Sequence, residues 1–310
     1  MSTKPRGRSR NLPFHAGTRR AVVAAIGDLH INSTIALLAP ETQLDDGLFA
    51  YHSTYQRWLW ELFQEYTELV AHKQRAEKAP VVLIINGEIA DLLSHPTTQL
   101  LSRNPADVER MALNTLANIR QLASLVIVTR GTEAHSGVAS NLDETLAGLL
   151  KAAGDRSKGT YSWYHYCGQI AGVKLDVAHH PGVSHGRREL RGTDAVRLAG
   201  IIKDEYYHLN RVNPAIGYPD LVIRGHNHKP SDSGDNHPIR AIINASWQFA
   251  TKKIGSAFGY KLGGSTFENG GLIITCDSGQ YELRKFYRTI DPEYSGAYWW
   301  TPEPEAETAA

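Results

Sequence analysis

A chain of 310 residues, 42% hydrophobic and 21% charged, has the balance of a globular protein and the length for a substantial core. Its formal net charge of +1 gives no global field to draw in nucleic acid or a membrane surface. The two cysteines, Cys167 and Cys276, lie far apart and neither belongs to a Cys-x-x-Cys pair, which argues against a thiolate zinc site or a disulfide framework.

The chain opens on a basic stretch, residues 1–20, in which Lys4, Arg6, Arg8, Arg10, Arg19 and Arg20 precede the first acidic residue, Asp28; it reads as a solvated arm. Short apolar runs then alternate with helical patterns. Ala21–Ile26, Val81–Ile85, Leu125–Val128, Val173–Ala178 and Asp220–Ile223 each read as a buried strand. Tyr55, Trp58, Leu59, Leu62, Phe63, Tyr66, Leu69 and Val70 mark one face of a long helix between the first two. Val108, Met111, Leu116, Ile119 and Leu122 mark a second helix, with Pro105 suited to its first turn. A third is expected from about Leu142 to Ala153, capped by Asn141, with Glu144 at the capping-box position and Gly154 at its end. A fourth spans Asp194 to about Leu209. After Pro238, Ile239–Ile243, Leu272–Thr275 and Tyr281–Tyr287 read as strands of an antiparallel addition. The alternation predicts an α/β fold with much parallel pairing, as a single domain over residues 21–290, followed by a tail over 291–310 that ends acidic. No apolar run approaches the ~20 residues that cross a bilayer, and the N-terminus lacks a signal peptide's apolar stretch. A cytoplasmic protein without a membrane partner is expected.

The strand ends carry the functional signal. The five strands lead into Gly27-Asp28-Leu29-His30, Gly87-Glu88-Ile89-Ala90-Asp91, Gly131-Thr132-Glu133-Ala134-His135, His179-His180-Pro181-Gly182 and Gly225-His226-Asn227-His228. In open α/β sheets the functional crevice lies at the carboxyl ends of the strands, so all five loops should meet there. Asp28/His30 and His226/His228 are each spaced by two, which lets both side chains of a pair point one way from extended backbone. A glycine before four of the blocks allows a sharp turn. One Asp-x-His or His-x-His is more often a turn residue or a hydrogen-bonded histidine than a ligand pair. Five strand ends that all deliver carboxylate or imidazole are another matter, because such groups crowded into one crevice repel and desolvate one another unless cations neutralise them. Imidazole and carboxylate without thiolate suit Mn, Fe, Zn, Co or Ni, with Mn favoured. The candidates outnumber the ligands of one tetrahedral site, so two divalent ions sharing a carboxylate is the economical arrangement. Such a pair polarises a phosphoryl group and activates water at neutral pH.

These blocks, in this order, resemble the calcineurin-like metallophosphoesterase superfamily, whose pattern is Asp-x-His, Gly-Asp-x-x-Asp, Gly-Asn-His-(Asp/Glu), a His, and Gly-His-x-His. The likeness spans about Ala21 to His228. It implies a four-layer α/β/β/α sandwich and hydrolysis of phosphate esters. Carried over residue by residue, it implies that Asp28, His30 and His228 hold the first ion, that His179 and His226 serve the second, and that Glu88, where the family has aspartate, bridges both. Asp91 matches the second acid of that motif and is read as orienting a ligand. The third block departs further, with Thr132 at the family's Asn and Glu133 at its His, in the manner of divergent viral-type members that carry Gly-Thr-x-x-His. Whether Thr132, Glu133 or neither reaches the second ion stays open.

His135 is then the candidate general acid, against the alternative of a loop-capping histidine. His180 is a candidate to meet substrate or to support the neighbouring ligand His179. The run Arg187, Arg188, Arg191 is a candidate to bind substrate, since guanidinium forks match phosphate oxygens, against the alternative of a solvated basic helix start. His95 comes after the bridging block and is read as a surface-loop residue. Trp247, Phe249, Phe258, Tyr260 and Phe267 come after the last block among glycines; most such aromatics are core, but one could stack on a base. The expected activity is a dinuclear phosphoesterase leaning to phosphodiesters or nucleotides, with nucleic acid as a possible substrate. The alternatives are a phosphomonoesterase or protein phosphatase and, in another class, a catalytically weak metal-containing protein that binds nucleic acid through its basic arm. A Gly-x-x-x-x-Gly-Lys-(Ser/Thr) loop is absent, which disfavours a nucleotide-dependent kinase.

Overall fold

The computed structural model describes residues 12–15, 17–92, 100–183, 192–235, 237–249 and 268–289. Strand β1 (Arg20–Gly27) is buried along its length after Arg20, as expected of a central strand covered on both faces. A two-stranded hairpin, β2 (Thr42–Gln43) and β3 (Phe49–Ala50), leads to helix α1 (Thr54–Glu77). That helix starts in a capping box: Ser53 Oγ accepts from the Gln56 N–H while the Gln56 side chain accepts from the Ser53 N–H. Strand β4 (Val81–Asn86), helix α2 (Pro105–Leu122) and strand β5 (Ala123–Thr129) come next; the Asn104 side chain caps α2, and Pro105 begins it. Beyond them lie the one-turn helix α3 (Glu133–Ser136), α4 (Asn141–Leu149), β6 (His165–Ile170), β7 (Val173–Ala178), α5 (Thr193–Val212) and β8 (Leu221–Arg224). The described chain closes with β9 (Ser231–Asp232), β10 (Arg240–Ile243), β11 (Glu268–Asp277) and β12 (Gln280–Thr289).

The strands form two five-stranded sheets, in the orders β12-β11-β1-β4-β5 and β6-β7-β8-β10-β9. Residue alternation along β1 separates the layers. Val22, Ala24 and Ile26 pack with Leu59, Phe63 and Tyr66 of α1 and with Met111 and Leu116 of α2. Val23 and Ala25 face the other way, where they meet Val173, Leu175 and Ile223 of the second sheet. On that sheet's outer face Val222, Ala241 and Ile243 bury Leu198 and Ile202 of α5. The result is a four-layer α/β/β/α sandwich, as expected from the sequence. Among the described residues no helix is long and apolar enough to cross a membrane.

Four expectations need correction. The third helix is not capped by Asn141: that residue is already helical, and Ser140 occupies the cap in left-handed backbone without a side-chain cap bond. Glu144 closes no capping box. It pairs with the buried Arg130 guanidinium at 3.1 Å and accepts the Tyr161 and Ser162 N–H groups, so tertiary bonding has taken over the side chain. The helix stops at Leu149, and Gly154 serves a different need, since a Cβ there would collide with the Thr160 carbonyl. The strands after Pro238 are not one antiparallel addition either. β10 runs parallel to β8 inside the second sheet, while β11 joins the first sheet antiparallel to β1 and β12 pairs antiparallel with β11 beyond it. Strand β6 went unpredicted because it is an edge strand whose exposed positions break any apolar run.

Candidate metal centre

The loops after β1, β4, β5, β7 and β8 converge, as the strand directions require. The first two zip together beyond their strands: Leu29 and His30 donate to the Glu88 carbonyl at 3.0 Å, and Asp91 donates to Ile31 O at 2.9 Å. The Gly225 N–H donates to His179 O at 2.9 Å, and the His226 N–H reaches both carboxylate oxygens of Asp28 at 3.0 Å. The Trp247 N–H holds the Asp28 carbonyl at 2.9 Å, which fastens the first ligand loop to the core from behind.

Two donor clusters share one carboxylate. Asp28, His30, Glu88 and His228 form the first; Glu88, His179 and His226 form the second. Glu88 presents Oε2 to His30 Nε2 at 3.1 Å, and Oε1 to His179 Nε2 at 3.2 Å and His226 Nδ1 at 3.7 Å. Asp28, His30, Glu88 and His179 are buried, whereas the side chains of His226 and His228 are 29% and 20% exposed, so the site opens on their side.

The imidazole tautomers fit metal ligation. His30 donates from Nδ1 to Asp91 Oδ1 at 2.8 Å, and His179 donates from Nδ1 to the Asn86 carbonyl at 2.8 Å. In each neutral ring the lone pair therefore sits on Nε2, aimed at Glu88. His179 Nε2 is buried and lacks the alignment of a hydrogen bond despite its closeness to Glu88. His30 Nε2 and His228 Nε2 face each other at 3.0 Å, an arrangement that only a cation or a proton between lone pairs makes favourable. The residues present fit two divalent ions.

Electrostatics say the same. Burial alone would raise the Glu88 carboxyl, but His179, His226 and His30 hold it well below the usual range. Burial would lower His179, yet the Asp28 and Glu88 charges push it up to about 9; His30 is likewise raised by Asp91 and Glu88 against its burial. Without metal, protons take the place of the cations. A group raised from 6.5 to about 9 contributes stability that is complete below 6.5 and lost as pH rises through 9. Chelator-treated protein should therefore lose melting temperature between about pH 6.5 and pH 9, whereas metal-loaded protein, in which cations displace those protons, should not. Parallel losses with and without metal would show that His179 holds its proton for other reasons.

Backbone strain marks the same positions. Asp28, His30, Glu88, His226 and His228 all have φ between 46° and 69°, a left-handed region costly for residues with a side chain. The block-leading glycines serve a role other than turning. Only Gly87 among them has positive φ, at +73°, and a Cβ there would stand 2.5 Å from His179 Nδ1. At Gly131 and Gly225 a Cβ would stand 2.5 Å from Glu88 Cγ and 2.6 Å from Asp28 Oδ2. The glycines are needed for close approach.

Around the donors, Asp91 Oδ1 also accepts from His135 Nδ1 at 3.0 Å, so one carboxylate orients both His30 and His135. Thr132 donates from Oγ1 to Glu88 Oε1 at 2.6 Å. Glu133 is not brought into the cluster: it is exposed and accepts the Ala139 N–H at 2.9 Å. His180 is exposed beside His226, with ring centroids 4.6 Å apart. Trp247 and Phe249 are core, packed on Phe63 and on Tyr55 and Trp58. Arg187, Arg188, Arg191, His95, Phe258, Tyr260, Phe267, most of the basic arm and the acidic tail lie outside the described residues.

Sequence reasoning missed Asp143. Fully buried in the first turn of α4, it accepts the N–H groups of Gly131, Glu88 and Ile89 and the Ser136 hydroxyl, which joins the second and third ligand loops. Burial raises its carboxyl despite those bonds. An acid early in a helix looks like dipole compensation, so the sequence carried no distinctive signal.

No family model matches the chain, and no curated protein does. Among solved structures it is similar to a single mutant of Vps29 from Entamoeba histolytica, at 13% identity and TM-score 0.36, covering 87% of this chain and 99% of that one. A dimetal phosphatase from Danio rerio gives 10% identity and TM-score 0.39, over 86% and 98% of the two chains. A 5′-nucleotidase from Candida albicans gives 10% and 0.36, over 77% of this chain and 46% of that one.

Proposed function

We propose that the chain is a dinuclear metal-dependent phosphoesterase that prefers phosphodiesters or nucleotides. The observation that carries this reading is the Glu88 carboxylate, whose two oxygens serve two different histidine sets from opposite sides. Asp28, His30, Glu88 and His228 would hold one ion, and Glu88, His179 and His226 the other. When bound, such a pair neutralises phosphoryl oxygens and supplies a nucleophile from water at neutral pH. A set of imidazoles and carboxylates without thiolate suits Mn, Fe, Zn, Co or Ni, of which Mn is the ion proposed.

The chain's own groups then have distinct work. Asp91 holds His135 through Nδ1, which leaves Nε2 to carry a proton to the leaving oxygen, and the His135 side chain is 35% exposed and so within reach of a ligand. Thr132 fixes the rotamer of Glu88 and needs no contact with an ion of its own. His180, on the open side beside His226, meets substrate oxygens. The arginines at 187, 188 and 191 come after that loop in sequence and suit compact, multiply charged phosphates.

The substrate preference is tested by comparing bis-nitrophenyl phosphate, nitrophenyl phosphate, cyclic nucleotides and single-stranded DNA, with and without residues 1–20. We expect diesters or nucleotides to be turned over best. If nitrophenyl phosphate is much the best and removing the arm changes nothing, the activity is that of a phosphomonoesterase. Salt-dependent DNA binding without any turnover would favour the binding protein.

A further inference from the structure

A second cluster of ligating side chains lies away from the crevice, on the edge of the other sheet. In the antiparallel pair β6–β7, Cys167 stands directly opposite Asp176, and His165 is two residues before Cys167 on the same face. Their donor atoms converge. Cys167 Sγ is 3.3 Å from His165 Nε2, and His165 Nε2 is 2.7 Å from Asp176 Oδ1. The three atoms all lie within 4.8 Å of one another. Asp176 is buried at the floor, while Cys167 and His165 are open to solvent.

We infer that His165, Cys167 and Asp176 form a mononuclear site for zinc or a similar borderline-soft divalent ion, separate from the crevice. One imidazole, one thiolate and one carboxylate are a three-residue zinc set, with solvent as the fourth ligand. The lack of a Cys-x-x-Cys pair speaks against a thiolate site built from one segment, and does not reach a mixed set assembled across two strands. The obvious competitor is Arg224, whose Nη2 is 2.7 Å from the same Asp176 Oδ1. A carboxylate oxygen has two lone pairs, however. Arg224 takes one from inside the sheet, and the other points to His165 Nε2. Tyr206 holds the remaining oxygen, donating to Asp176 Oδ2 at 2.9 Å, so the carboxylate is fixed before an ion arrives. The physical consequence is a clip. Among the described residues strand β6 is an edge strand with only β7 beside it, and an ion held by both would fasten that edge against fraying and against pairing with another chain.

The ligand types make the site separable from the crevice, which offers nitrogen and oxygen donors alone. The other cysteine, Cys276, is buried in the core between the sheets and is no rival thiolate. Reduced, chelator-treated full-length chain is titrated with cobalt(II) and monitored by absorption. We expect a near-ultraviolet thiolate-to-cobalt charge-transfer band whose limiting intensity corresponds to one thiolate-bound ion per chain, and which is lost in Cys167→Ser and weakens in His165→Gln. The band should persist in Glu88→Gln, so failure of the crevice reading and failure of this one are told apart. Zinc should also slow alkylation of Cys167 by iodoacetamide several-fold in the wild type. Absence of the band, its survival in Cys167→Ser, or alkylation unaffected by zinc would overturn the site and leave the three residues as a metal-free ion network around Asp176.

Discussion

Glu88→Gln is expected to remove metal binding from both clusters and to lower turnover by more than the ~10–100-fold typical of changing a residue that only orients a ligand. The geometry is the reason. Each Glu88 oxygen faces a different histidine set, and burial leaves no solvent to replace a lost charge. An amide has the same shape but offers one neutral oxygen, so one side loses its acceptor and faces an NH₂ group instead. Asp91→Asn makes the milder comparison, because Asp91 reaches His30 and His135 through Nδ1 bonds. It should fall within that ~10–100-fold range, with weakened affinity at the first ion alone. Calorimetric metal titration and turnover on one preparation of each variant check both statements. Equal losses, or a worse Asp91→Asn, would mean that the bridge has been misassigned.

His135→Ala should lower turnover by about 10²–10⁴-fold with a leaving group of high pKa, the range for loss of a general acid. With nitrophenolate, which departs without a proton, the loss should be much smaller. Metal content should stay at the wild-type level, since His135 meets Asp91 through Nδ1 and belongs to neither cluster built on Glu88. Bound metal is measured on the same preparation, because His30, Asp91 and His135 also converge as a donor group, with the His30 and His135 rings 4.6 Å apart. Loss of an ion in His135→Ala would make it a ligand, and equal rates on both substrates would return it to capping its loop.

The sequence made the crevice legible for a definite reason. A buried parallel strand is a short apolar run, and the residue after it is bound to lie at the sheet's carboxyl edge, so Asp28, Glu88, His179 and His226 could be placed by direction alone. Contributions that depend on partners distant in sequence were harder to see. Nothing in the residue types at Asp28, Glu88 or His228 announces left-handed backbone, which is imposed when neighbouring loops lock together. Asp143 gathers three backbone N–H groups from two loops, a task invisible before those loops are adjacent. Glu144 carried a correct local signal that the buried Arg130 overrode. The His165–Cys167–Asp176 cluster depends on the register of an edge strand with no apolar run to reveal it.

The central claim is that Glu88 bridges two ions. Its most direct test is a crystal structure of the manganese-loaded chain, with anomalous scattering recorded at the metal edge. Two peaks about 3.5–4 Å apart, on either side of the Glu88 carboxylate, are the predicted result. One peak confined to Asp28, His30 and His228, or none within reach of Glu88, would contradict it.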